Sequence, residues 1–146
     1  MFRGRQTARI DEKGRLKVPS EFRALIEQQY GTKLFVTSLS GDYVRLYPMP
    51  VWEAVEAKLA AMPSTHPARV NFTQKTNYFG QTAELDGQGR VLIHQALREE
   101  ATMVGEVDVI GLLTYLEVWN HARYDALVRN NPLSSDDLAA LAAAGI

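Results

Sequence analysis

Asp11-Glu12-Lys13-Gly14-Arg15 returns 75 positions later as Asp86-Gly87-Gln88-Gly89-Arg90. A charged turn that ends in arginine is common on protein surfaces, so one copy says little. Here the flanks recur with it. Ala8-Arg9-Ile10 corresponds to Ala83-Glu84-Leu85, Leu16 and Val18 to Val91 and Ile93, and Phe22-Arg23 to Leu97-Arg98. A second block follows at an offset of 72, Tyr43-Val44-Arg45-Leu46-Tyr47 against Tyr115-Leu116-Glu117-Val118-Trp119. Both halves then step through Trp52-Glu53-Ala54 and Tyr124-Asp125-Ala126. The chain therefore holds two copies of one supersecondary unit, and any fold must accommodate that duplication.

The turn has a local rationale. Asp11 can fold its carboxylate onto the amides ahead of it, and Gly14 supplies the positive φ that closes a four-residue hairpin loop. Alternation sets the faces on either side. Ala8, Ile10, Leu16 and Val18 point to a core, while Arg9, Arg15 and Lys17 form a cationic outer ribbon with Arg15 at its tip.

At 146 residues the chain can bury a real core. The duplication divides it into a first unit over residues 1–62, a connector over 63–82, a second unit over 83–130 and a C-terminal tail over 131–146. No cysteine is present, which excludes disulfides and thiolate metal sites and suits a reducing compartment. Met1-Phe2-Arg3-Gly4-Arg5 lacks the apolar region of a signal peptide, and no apolar run reaches membrane-spanning length, so the expected location is the cytoplasm.

The net charge of −1 conceals an asymmetry. Residues 1–33 carry eight basic and four acidic side chains, whereas residues 83–146 carry four basic and ten acidic. A basic surface at one end suits a polyanion, and the clustering of Arg3, Arg5, Arg9, Lys13, Arg15 and Lys17 around one turn favours nucleic acid.

The remaining pattern is α+β, with each unit reading β-β-α-β-β-α. Pro19-Ser20-Glu21 starts a helix that runs to about Gln29, with Ser20 as its cap, Phe22, Leu25 and Ile26 buried, and Gly31 as its stop. Strands follow at Lys33 to Ser38 and Tyr43 to Tyr47, then a helix from Val51 to about Met62 that buries Trp52, Val55 and Leu59. Residues 68–79 have a mixed pattern that leaves helix and extended backbone both open. The second unit repeats the sequence of elements, with a helix from Gln95 to Met103, strands at Val107 to Ile110 and Leu113 to Trp119, and a helix from about Ala122 to Arg129. Ser134-Ser135-Asp136-Asp137 can cap a short helix in the tail, which could equally fray.

In these residues the chain resembles the MraZ transcriptional regulators. The likeness rests on Met1-Phe2-Arg3-Gly4, on Ile10 through Pro19 with Phe22-Arg23, and on Leu85 through Ile93 with Leu97-Arg98, Val109-Ile110-Gly111 and Leu116-Glu117-Val118-Trp119. It implies two tandem swapped-hairpin (AbrB-like) units forming an intramolecular pseudo-dimer. It also implies a ring-shaped homo-oligomer on the nucleoid that binds short direct repeats in double-stranded DNA. The expected target is the promoter of a cell-division and cell-wall gene cluster, mostly repressed. The second half departs from the first at three positions: His94 stands at the place of Pro19, Leu92 at that of Lys17, and Glu84 at that of Arg9.

On this reading Arg15 reads guanine, because a guanidinium pairs bidentately with O6 and N7 in the major groove. Lys13 and Arg3 meet phosphates, which fix register, and Gly14, which shapes the turn, is counted with them as DNA-binding. The three departures leave the second hairpin a poor DNA surface apart from Arg90 and Gln88. The first unit is therefore expected to dominate, with the second serving the fold, assembly or a secondary contact through Arg90. Asp11 and Asp86 repel DNA and are assigned to holding the turns and orienting the arginines; the plain alternative is an ordinary surface pair worth under about 1 kcal/mol.

Other classes fit less well. Asp11 and Asp86 could suggest a carboxylate dyad, but the cations beside them and the missing Thr/Ser-Gly step argue against an enzyme. His66, His94 and His121 are too scattered for a metal site, and no phosphate-binding or dinucleotide loop is present, so no catalytic residue, cofactor or small-molecule substrate is expected. An AbrB-like antitoxin usually has one unit and a long disordered tail, and the tail here is short. A non-DNA assembly scaffold would suit the acidic second half.

Overall fold

Residues 1–146 are all described by the computed structural model. Strand β1 (Arg5–Arg9) leads through the first turn to β2 (Arg15–Lys17), helix α1 (Ser20–Gln29), β3 (Lys33–Thr37), β4 (Val44–Pro48), α2 (Met49–Ala61) and α3 (Pro67–Tyr78). The second half gives β5 (Gln81–Glu84), β6 (Arg90–Leu92), α4 (Gln95–Glu100), β7 (Glu106–Leu112), β8 (Tyr115–Asn120), α5 (His121–Asn130) and α6 (Ser135–Ala143). The fold is α+β.

The hairpins expected from the sequence are open. β1 and β2 share only the bridge between Ile10 and Leu16, and each strand finds its main partner in the other half. β1 lies antiparallel on β7, β5 lies on β3, and β2 pairs with β6. The result is a six-stranded sheet in the order β1-β7-β8-β4-β3-β5 and a separate two-stranded ribbon, β2-β6. Exchanging β1 and β5 between the halves lets each half cover the other's sheet edge, which leaves neither with an unpaired inner strand.

A pseudo-two-fold axis relates the halves. It passes between Leu16 and Val91 in the ribbon and between Arg45 and Glu117 in the sheet, since each of these residues pairs with its own counterpart. The core lies between the ribbon and one face of the sheet. Leu16, Val18, Val91 and Ile93 meet Phe22, Ile26 and Leu97 from α1 and α4, and Leu34, Val36, Val44, Leu46, Val107, Val109, Leu116 and Val118 from the sheet.

By alternation the other sheet face carries aromatics. Trp52 of α2 packs against Phe35 and Tyr47, and Tyr124 of α5 packs against Trp119. At the axis, Arg45 Nε donates to Glu117 at 2.9 Å and its guanidinium lies over the Tyr115 ring at 4.9 Å.

Several local readings change. Pro19, not Ser20, is the residue before α1, and no side chain caps that helix. The fixed φ of proline sets the entry there, and Pro48 does the same for α2, which starts two residues earlier than its apolar pattern suggests. On α2 only Trp52 is fully buried, while Val55 and Leu59 are partly covered. Residues 67–78 are helical: His66 accepts from the Ala68 amide, Pro67 occupies the first turn, and the segment buries Thr76 instead of an apolar stripe. The tail is helical too, started by a capping box between Ser134 and Asp137. No helix is long and apolar enough to cross a membrane.

Candidate nucleic-acid interface

The two turns share one hydrogen-bond pattern. The Lys13 and Arg15 amides donate to Asp11 Oδ1, both at 2.9 Å, and Arg15 Nε donates to Oδ2 at 2.8 Å. In the second turn the Gln88 and Arg90 amides reach Asp86 Oδ1 at 2.8 and 2.9 Å, and Arg90 Nε reaches Oδ2 at 2.9 Å. Each carboxylate is thus occupied by three donors. The hydrogen bond from the Arg90 amide is the foremost cause that holds Asp86 down to about 2, and the Arg15 amide likewise leads in lowering Asp11. As a surface ion pair the contact adds little stability. Its consequence is geometric: Nε is engaged, and neither terminal nitrogen of Arg15 or Arg90 hydrogen-bonds within the protein.

The ribbon arrays these side chains on one face. Arg15 lies opposite Leu92 and Lys17 opposite Arg90, with Leu16 and Val91 turned fully into the core. The outer face is therefore a two-stranded strip bearing Arg15, Lys17, Arg90 and Leu92. A ribbon of this kind fits a major groove.

Behind each turn sits an arginine from the other half. The Arg98 guanidinium occupies the space where a Cβ on Gly14 would stand, and Arg23 fills the same space at Gly89. Arg98 Nε donates to the Ile93 carbonyl at 2.7 Å, and Arg23 Nη2 to the Gly87 carbonyl at 3.1 Å. Gly14 and Gly89 have φ of 86° and 75°, so each turn needs glycine for its backbone, and an added Cβ would also displace the arginine behind it.

The family model described as "MraZ protein, putative antitoxin-like" matches residues 1–75 and again 80–144. The chain belongs to the MraZ family. Proteins called transcriptional regulator MraZ resemble it along its length. That of Acidobacterium capsulatum is 47% identical over 146 residues, covering all of both chains. That of Koribacter versatilis is 48% identical over 147 residues, again with both chains fully covered. That of Syntrophobacter fumaroxidans is 35% identical over 128 residues, 88% of this chain and 85% of the relative. MraZ proteins are regulators of transcription, not enzymes.

Within this MraZ chain the residues singled out from sequence do not all come together. Lys13, Gly14 and Arg15 share the first turn, and Arg90 reaches the same strip from the second. Arg3 does not. It precedes β1, beside the bridge between Phe2 and Leu113, so the full length of β1 separates it from the turn, at about 3.3 Å per residue.

The three histidines serve the fold. His66 caps α3, His94 Nε2 lies 3.0 Å from the Phe79 carbonyl, and His121 Nδ1 lies 2.9 Å from Asp108 Oδ2. His94 keeps the extended backbone of Pro19 at the start of its helix, and its ring anchors α4 to the end of α3. Arg23 and Arg98 are functional-site residues that alternation and charge do not single out. Their recurrence beside Phe22 and Leu97 was the available signal; that each serves the opposite turn is visible only once the halves interlock.

Proposed function

We propose that this chain is a sequence-specific DNA-binding repressor that lays the β2-β6 ribbon into the major groove, with Arg15 pairing to guanine O6 and N7. The observation that carries the reading is the pinned guanidinium: Asp11 holds Nε and leaves both terminal nitrogens unbonded on a partly exposed cationic strip. Lys13 and Lys17 then neutralise phosphates, and Arg90 contacts DNA from the second turn. For Arg3 to touch a phosphate, the DNA must extend past the far end of β1.

The names of its relatives support regulation of transcription, and the MraZ resemblance implies short direct repeats in the promoter of a cell-division and cell-wall gene cluster, on the nucleoid. The two units act as one intramolecular pseudo-dimer. A homo-oligomer repeats the strip, and simultaneous engagement of adjacent repeats raises affinity by about 10²–10⁴.

The test is a mobility-shift titration of Arg15→Ala against a duplex carrying the repeats and a scrambled duplex of equal length. Loss of the preference for repeats, with circular dichroism unchanged, is the expected outcome. Retained preference would rule out Arg15 as the reader.

A further inference from the structure

The pseudo-two-fold axis makes the ribbon's two ends equivalent in backbone but not in chemistry. Arg15 and Arg90 are counterparts, and so are Lys17 and Leu92. One end therefore presents Arg15 beside Leu92, and the other presents Arg90 beside Lys17. Leu92 is 49% exposed on an otherwise cationic strip, while its neighbours Val91 and Ile93 are fully buried. Nothing in the core requires an apolar residue there, and the counterpart position shows that lysine fits the same backbone.

We propose that Leu92 is a specificity determinant that receives the 5-methyl group of a thymine next to the guanine read by Arg15, and that it gives the ribbon a direction on DNA. This rests on the reading of Arg15 given above. Residues directly opposite in an antiparallel pair have Cβ atoms about 4.5–5.5 Å apart. Base pairs rise by about 3.4 Å, so side chains at that spacing address the same pair or the next one or two. The thymine methyl projects into the major groove and is the one apolar feature on its floor, so it suits a leucine, which has no donor to offer O6 or N7. A ribbon with two identical ends would read both strands alike and favour an inverted repeat. With Leu92 at one end only, a guanine–thymine pair of contacts is made in one orientation, which suits repeats that all run the same way.

The test uses the full chain and a duplex recovered by selection from a random pool, made with thymine or with deoxyuridine beside each guanine contact. Deoxyuridine changes only the methyl group. Wild-type affinity should fall about three- to five-fold for each thymine contact so replaced, the scale expected for one buried methyl. Leu92→Ala should bind the thymine duplex about that much more weakly and should not distinguish the two duplexes. Equal sensitivity to uracil in wild type and Leu92→Ala, or no sensitivity in wild type, would overturn the proposal. A parallel titration of Arg15→Ala separates the failures. If that variant keeps its preference for selected DNA, the reading of Arg15 falls; if it loses the preference while uracil has no effect on wild type, only the role of Leu92 falls.

Discussion

At the scale of single residues, the turn depends on a carboxylate that never faces solvent unpaired. Asp86 is held down to about 2 against an ordinary 3.8, chiefly by the Arg90 amide, and Asp11 is lowered in the same way. A folded-state value below the unfolded one means that the contribution to stability is complete above the ordinary value and is lost as pH falls through the lower one. The turns should therefore be insensitive to these two groups from about pH 5 upward and loosen only in strong acid. Carboxyl-carbon chemical shifts give the check: at about pH 3, where a free aspartate is mostly protonated, Asp86 should remain ionised. A midpoint near the ordinary value would show that the three donors are not held in solution.

At the scale of elements, the turn and the arginine behind it form one device. Gly14→Ala and Gly89→Ala each force a side chain into a positive-φ backbone and against Arg98 or Arg23. Each should cost about 1–3 kcal/mol in chemical denaturation. Gly87→Ala, at a position with open space and no positive φ, should stay within about 0.5 kcal/mol. Equal losses in all three would point to a general turn effect and away from the clamp.

Much of this scale was legible beforehand. Alternation correctly turned Leu16 and Val18 inward and Arg9 and Lys17 outward, because a two-residue period is local. Partner choice was not legible. The alternation of β1 is the same whether it pairs with β2 or β7, and only the MraZ resemblance pointed to exchange. Helix α3 escaped for a related reason: its contact with the body runs through Thr76 and through Phe72 against Trp52, which leaves no apolar period to find. The pairing of Arg98 with Gly14 joins residues 84 positions apart, and no local signal spans that distance.

At the scale of the whole molecule, the helices that close the two halves are unequally used. α3 packs on α2, but its counterpart α6 buries no residue, and Leu133, Leu138 and Ile146 stand exposed around it. A nine-residue helix is too short to be stable by itself in water, even with a capping box. A homo-oligomer held by this segment would cover those side chains with a neighbouring copy. Removal of residues 132–146 should then reduce the assembly measured by light scattering while leaving the thermal midpoint of the remaining fold nearly unchanged. An assembly of undiminished size would exclude α6 from the contact.

The pair of Arg45 and Glu117 on the pseudo-two-fold axis has a further consequence for the duplication itself. Were two first halves to meet as separate chains, arginine would face arginine at the centre of the joint sheet; two second halves would set glutamate against glutamate. Only unlike halves neutralise each other there. What began as a repeat has become a pair of non-interchangeable pieces, and the covalent link between them keeps each from seeking its own kind.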